Sequence, residues 1–249
     1  MKQIMLKKPL PPHIRFHKNA WNTDGKKKNT ILMHPPASWK KIYSKAYPRL
    51  KHVVLPAPKL PPESLRNTLS RRSSHRTFTK KAITPTGLSS LLYYSCGIKN
   101  GNYSRRFYPS AGGRYPLEVY ITPLQGDLRY KMYHYYPHEH ILENIGNADA
   151  ETLMRIYGNE WSWISKSGVL ICITAVFKRT THKYGEKGYQ FALLEAGHMG
   201  QNMYLVSEAL GLGCCALGGY DNKKADAMLD IDGIRETVIY MLAVGRGLT

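Results

Sequence analysis

Two residues able to carry protons stand side by side in the stretch HKYGEKGYQF: Lys183 and Tyr184. An amine and a phenol are both competent general acid–base groups when something holds them against a substrate. Neighbouring positions diverge on a helix surface. The two side chains can therefore reach one point only from a loop or from the edge of a helix, and the glycines and charges around them put them there. Taken alone, the stretch reads equally well as a solvated turn that introduces a helix.

Three other clusters have the residue types of a ligand site. RRSSHRTF at 71–78 sets Arg72, Ser73, Ser74 and Arg76 close together. Guanidinium forks and hydroxyls suit a phosphate, although a solvated basic helix end has the same composition. In YPSAGGRYPLEVY, the small residues Pro109, Ser110, Ala111, Gly112 and Gly113 run into a predicted strand. Backbone of that kind can lie close to a flat ligand, or simply turn. In ALGGYD, Gly218 and Gly219 end a short strand with N–H groups that could meet a ligand heteroatom. The glycine spacing fits neither a dinucleotide fingerprint nor a P-loop.

Glu195 and His198 in LLEAGHMGQN have the i,i+3 spacing of some di-metal bundles, but a single such pair points to polar packing and not to a metal. Gly197 and Gly200 would let another helix approach, as at a dimer interface. His138 and His140 read as hairpin surface. The four cysteines, Cys96, Cys172, Cys214 and Cys215, have no metal-ligand spacing.

The elements that must position these residues are legible in outline. TPTGLSSLLYYSCG is a helix, with Thr84 as its cap, Pro85 in its first turn and Gly97 at its end. Leu117–Thr122 and LRYKMYHYYP read as strands joined by a QGD turn. NADAETLMRIYG is a helix, and GVLICITAVF is a central strand. The longest helix runs from about Gly188 to Leu210. CCAL, NKKADAMLDI and ETVIYMLAVG follow as strand, helix and strand. Hairpins and helices mix without strict alternation, so the fold class is α+β, with helices on a mostly antiparallel sheet.

Charge divides the chain. Of 249 residues, 36 are Lys or Arg and 17 are Asp or Glu, a formal net charge of +19. Residues 1–80 hold 19 of the basic residues and 2 of the acidic ones. Residues 1–62 are also dense in proline, which works against regular helix and central strand. They read as a basic extension with ordered pieces around Trp39 and Tyr43, followed by a domain over 63–249. No nucleic-acid-binding motif accompanies the charge. No stretch has the apolar core of a secretion signal or the length of a membrane span. A reducing cytoplasm is the expected location.

Taken in order, RSSHRTF, PSAGGRYPLEVY, KYGEKGYQFALLEAGHMGQN, GLGCCALGGYD and YMLAVGRG resemble the nitroreductase-like FMN flavoenzymes. Within them the resemblance is to the SagB-type branch, which includes the azoline dehydrogenases of thiazole/oxazole-modified peptides. It spans roughly Ser64 to the C-terminus. It implies a nitroreductase-like fold, an interlocked homodimer and FMN at the subunit interface. It implies that Arg72, Ser74 and Arg76, with Ser73 between them, hold the phosphate and ribityl chain, with Arg246 assisting. Pro109, Ser110, Ala111, Gly112 and Gly113 would face the flavin from the partner subunit, and Gly218 and Gly219 would approach its ring near N5. Gly113 stands where many nitroreductases have an asparagine, so one flavin hydrogen bond would be lost or replaced.

Lys183 and Tyr184 fall on the Lys-Tyr pair of the peptide dehydrogenases, which gives the opening stretch a catalytic reading. The implied reaction oxidises thiazoline or oxazoline rings of a ribosomally made peptide to azoles, with hydride passing to flavin N5 and reoxidation by dioxygen. The implied partners are a modified precursor peptide and a cyclodehydratase complex. A generic NAD(P)H-dependent nitro- or quinone reductase, or a flavin-free scaffold subunit of a peptide-modifying complex, are the alternatives.

Overall fold

The computed structural model describes residues 44–99 and 105–247, together with Pro12, Arg15 and Phe16. The ordered pieces expected around Trp39 and Tyr43 lie outside the described residues. Seven strands form one sheet in the order β1-β4-β3-β2-β5-β7-β6, and every neighbouring pair is antiparallel. The strands are β1 (His52–Val54), β2 (Leu117–Pro123), β3 (Lys131–Tyr136), β4 (Ile141–Asn147), β5 (Val169–Val176), β6 (Gly213–Leu217) and β7 (Glu236–Gly245). The helices are α1 (Leu65–Arg71), α2 (Pro85–Cys96), α3 (Ala150–Tyr157), α4 (Trp161–Ile164), α5 (Lys178–Tyr184), α6 (Lys187–Ala209) and α7 (Asn222–Met228).

Strand alternation sorts the sheet into two cores. From β5, Val169, Ile171, Ile173 and Ala175 face α2 and α6, where they meet Leu91, Leu92, Ala192, Ala196, Met199 and Met203. From the same strand, Leu170 and Cys172 face α3, α4 and α7, against Leu153, Ile156, Ile164 and Ala225. Being covered on both sides, β5 is apolar along nearly its whole length, as its composition predicts.

Helix α2 begins and ends as its sequence dictates. The Thr84 hydroxyl accepts the Gly87 N–H, Pro85 sits in the first turn and Gly97 closes the helix on the Tyr93 carbonyl. Asp149 caps α3 in the same way through the Thr152 N–H, and Gly158 ends it at φ 55°.

Three elements go beyond the sequence reading. The proline-rich stretch contributes β1, which pairs with β4 at the sheet edge. The stretch read as hairpin surface runs from a turn that holds His138 and His140 into the strand β4. His140 there is tied to the Tyr135 hydroxyl at 2.8 Å and the Ser89 hydroxyl at 2.7 Å. Finally, KRTTHKY is the helix α5, so the stretch around Lys183 ends one helix before the next begins. Among the described residues no helix is long and apolar enough to cross a membrane.

Candidate functional site

The site residues fall into two groups, both leaning on α6. The first surrounds the junction of α5 and α6. Lys183 and Tyr184 are the last two residues of α5, where Gly185 at φ 58° breaks the helix. That helix-edge position lets two adjacent side chains turn toward one place, as the sequence argument required. Their meeting point is Gly112, in the short 3-10 turn Ala111–Gly113. A Cβ built on Gly112 would overlap the Tyr184 hydroxyl and lie 3.2 Å from Lys183 Nζ. Gly112 also has φ 59°, a conformation that side chains resist. The Lys183 ammonium lies 5.1 Å from the Tyr184 ring centroid. The Phe191 ring, from the first turns of α6, meets Tyr184 edge-on at 5.2 Å. Lys183 is exposed and Tyr184 half-buried, so the pair opens to solvent beside the loop.

Beneath the same loop lies Glu195. Residue Glu195 is 2% exposed, and neither carboxyl oxygen completes a hydrogen bond to a described group. Burial pushes its pKa up to about 8, although the Ser110 side chain, the Ala111 N–H and Arg106 all pull the other way. Those neighbours are near enough to act on the charge without closing a bond to it. The loop itself is pinned by Tyr115, whose N–H donates to the Ser110 hydroxyl at 2.9 Å. Glu195 and His198 do not converge as a metal pair, since Glu195 is buried and His198 is exposed. Among the described residues no group of three or more His, Cys, Asp or Glu could hold a metal ion.

The second group sits where α6 approaches β6. Ser74 pairs with Cys214 beside β6, and the His75 N–H donates to the Cys214 carbonyl. Tyr204 of α6 gathers this group. Its hydroxyl lies 3.1 Å from the Ser74 hydroxyl and accepts the Ala216 N–H at 2.7 Å, while the Arg72 guanidinium covers its ring at 5.4 Å. Ser73 is exposed and bonds His75 Nε2 at 2.9 Å. Among the described residues neither Arg72 nor Arg76 forms an ion pair, which leaves both guanidinium groups available for a dianion. Gly218 and Gly219 follow β6, exposed, with open space where side chains would stand.

Arg246 follows the end of β7 that pairs with the start of β6, away from Gly218, and its carbonyl accepts the Thr79 N–H, where the strip that carries Arg72–Arg76 continues. With Lys59 and Lys81 it lines a cleft of about 600 Å³.

Within one chain the two groups do not merge. Phe191 marks the first and Tyr204 the second, thirteen positions further along α6, roughly 20 Å of helix axis. The face of α6 between them carries exposed Leu193, Leu194 and Gly197. Gly200, by contrast, does not serve the approach of a second helix. A Cβ there would strike the Tyr240 ring of β7, so this glycine is needed inside the chain.

Several contributors escaped the sequence reading. Arg114 lies in the quoted loop motif and sends its Nε to the Arg179 carbonyl at 2.6 Å. Arg179 and Glu118 pair at 2.5 Å. Tyr204 and Phe191 look like ordinary positions on an amphipathic helix. A buried ion pair across 61 residues leaves no local signature.

Comparisons with known proteins place the chain in a family. The chain is 29% identical over 184 residues to the nitroreductase-family protein MJ1384 of Methanocaldococcus jannaschii, covering 73% of this chain and 90% of that one. It is 30% identical over 134 residues to the microcin B17-processing protein McbC of Escherichia coli, covering 51% of this chain and 49% of that one. A nitroreductase-type crystal structure from Ralstonia eutropha matches 80% of this chain and 90% of its own with a TM-score of 0.66 at 24% identity. The Escherichia coli microcin synthetase McbBCD complex with truncated pro-MccB17 bound contains a chain that matches 95% of this one and 92% of its own, with a TM-score of 0.63 at 20% identity. Residues 69–246 match the Nitroreductase family, and the chain belongs to that family.

Proposed function

We propose that this protein is an FMN-dependent dehydrogenase that oxidises azoline rings in a ribosomally made peptide to azoles. The observation that carries the reading is the convergence of Lys183 Nζ and the Tyr184 hydroxyl on Gly112. Similarity to a microcin B17-processing protein supports a peptide substrate.

The donor set fits FMN. Arg72, Ser74 and Arg76 offer charge and hydroxyls to the phosphate and ribityl chain, and the open backbone at Gly218 and Gly219 offers N–H groups to the ring. When bound, FMN supplies a two-electron acceptor for the hydride of the azoline. The separation of the two groups along α6 supports a homodimer in which the loop of one protomer completes the site of the other. The exposed stripe of Leu193, Leu194 and Gly197 is the corresponding contact surface.

The chain's own residues handle the proton. Aromatisation removes a proton and a hydride from adjacent ring atoms, so a base must stand on the proton side. Tyr184 as phenolate, or Lys183 as free amine, takes that proton, and the other orients the ring. Gly112 leaves room for both groups at one point. The precursor peptide reaches the pair from the solvent side on which Lys183 is exposed, delivered by a cyclodehydratase complex.

The test is mass spectrometry of an azoline-bearing peptide after incubation with the flavin-loaded protein. A loss of about 2 Da per ring is expected, and an unchanged mass would sink the reading. A generic NAD(P)H-dependent reductase is the second reading. It is favoured by the similarity to MJ1384, which extends over 90% of that protein. Rapid flavin reduction by NADPH, with no effect of an azoline peptide, would select it.

A further inference from the structure

Helix α5 carries the proton-handling pair, yet little in it is self-supporting. It has seven residues, no side chain caps its start, and isolated helices of that length are unstable in water. Arg179, four residues before Lys183 and 8% exposed, is what ties it down. One terminal nitrogen donates to the Tyr115 carbonyl at 3.1 Å, the other to Glu118 Oε1 at 2.5 Å. The Arg179 carbonyl in turn accepts Arg114 Nε. Both residues that follow the Gly112 turn, Arg114 and Tyr115, thus hold α5 through Arg179.

Glu118 is the hub of a larger buried network. Its Oε1 also accepts the Lys45 N–H at 2.6 Å, and its Oε2 meets His134 Nε2 at 2.9 Å. His134 Nδ1 bonds Glu143 Oε2 at 2.8 Å, and Glu143 Oε1 accepts the Tyr47 N–H at 2.6 Å. The Lys45 side chain pairs with Glu236, whose other oxygen accepts the Thr174 hydroxyl at 2.6 Å. Burial works to raise the Glu118 carboxyl, but Arg179 and His134 outweigh it and hold it at about 2. Burial likewise works to lower His134, and its two carboxylate partners overcome this and raise it. A carboxylate on each ring nitrogen leaves the imidazolium as the form that satisfies both. The segment Lys45–Tyr47 therefore closes over carboxylates that also position α5.

We propose that Arg179 and Glu118 are the positioning residues of the Lys183–Tyr184 pair, and that docking of Lys45–Tyr47 on Glu118 and Glu143 fixes that position. What the pair does rests on the function proposed above; where it is held does not. Arginine makes two directed bonds here that lysine cannot reproduce. A misplacement of about 1 Å at a reacting group costs on the order of 10²-fold in rate.

Two measurements on the full-length, flavin-loaded protein decide this. In Arg179→Lys and Glu118→Gln, amide hydrogen exchange across 178–184 should rise about tenfold while exchange in α6 and β5 stays unchanged. In the same variants kcat on an azoline peptide should fall about tenfold or more, with KM and bound flavin near wild type. Arg179→Ala should be worse than Arg179→Lys. Lys45→Pro removes both the N–H that Glu118 accepts and the side chain that pairs with Glu236, so it undocks Lys45–Tyr47 and covers the case in which Glu118→Gln does not fold. It should raise α5 exchange by a smaller factor. Unchanged exchange in α5 of Arg179→Lys and Lys45→Pro overturns the proposal. A wild type inert toward azolines removes the proposed function and leaves the exchange result to judge the positioning.

Discussion

The two site groups are built in opposite ways. The group at Tyr204 is made of two short contiguous strips that the fold lays side by side: Arg72, Ser74 and Arg76 beside β6, then Gly218 and Gly219 just past its end. The group at Gly112 is assembled from single residues on separate elements. Its Lys183–Tyr184 pair comes from α5, its glycine from the turn before β2, its buried acid from α6, and its support from carboxylates on β2 and β4. An exposed strip suits the gripping of a charged group whose place is set mainly by charge. A scaffold of buried, fully bonded ions suits groups that must meet a reacting atom within a fraction of an ångström. Under the proposed function, holding and reacting fall to different groups, and mutations should separate them.

The sharpest separation is expected from Lys183→Ala combined with Tyr184→Phe. Turnover of an azoline peptide should fall by about 10³-fold, with flavin content of the purified protein unchanged. Single replacements, followed by the pH dependence of kcat, tell which residue takes the proton.

Gly112→Ala should come next. The new methyl strikes the Tyr184 hydroxyl and forces a side chain onto a backbone at φ 59°. A loss of kcat of about 10- to 100-fold is expected, with stability lower by roughly 1 kcal/mol in a thermal melt.

Arg72→Ala should show the converse pattern. Loss of one guanidinium–phosphate contact should weaken FMN by about 1–3 kcal/mol in equilibrium titration, while kcat of the saturated enzyme is held. A drop in kcat at saturating FMN would mean that the two groups are not separable.

The last effect, on stability and not on turnover, concerns Glu195. Burial raises its pKa to about 8 from an ordinary value of 4.5. A raised acid stays neutral in the folded chain at pH values where the unfolded chain has already ionised. Folded-state stability therefore falls as pH rises from about 4.5 to about 8, and levels off above that. Glu195→Gln removes this loss. Its melting temperature relative to wild type should be level near pH 5 and clearly higher at pH 9, and a constant difference across that range would contradict the assignment.

The contrast between the groups also explains what was readable in the sequence. Helix α2 shows itself through Thr84, Pro85 and Gly97, because caps act on the nearest few residues. The β5 strand shows itself because a run covered on both faces has to be apolar. Arg72, Ser73, Ser74 and Arg76 form a compact motif. Helix α5 is hidden, since KRTTHKY has no apolar stripe and is held by Arg179, a long-range ion pair. Strand β4 is hidden for a related reason: Glu143 looks like a surface residue until His134 is placed opposite it. The helix-edge position of Lys183 and Tyr184 followed from geometry alone, but their meeting at Gly112 needed the tertiary fold.

The central claim, that the Lys183–Tyr184 pair at Gly112 takes the azoline proton while bound flavin would accept the hydride, is tested most directly without oxygen. An azoline peptide is added anaerobically to the flavin-loaded protein, and the visible flavin absorbance is followed. The wild type should bleach, and Lys183→Ala/Tyr184→Phe, equally yellow at the start, should stay yellow. Bleaching of the variant at the wild-type rate, or a wild type that bleaches with NADPH and not with the peptide, would contradict the account.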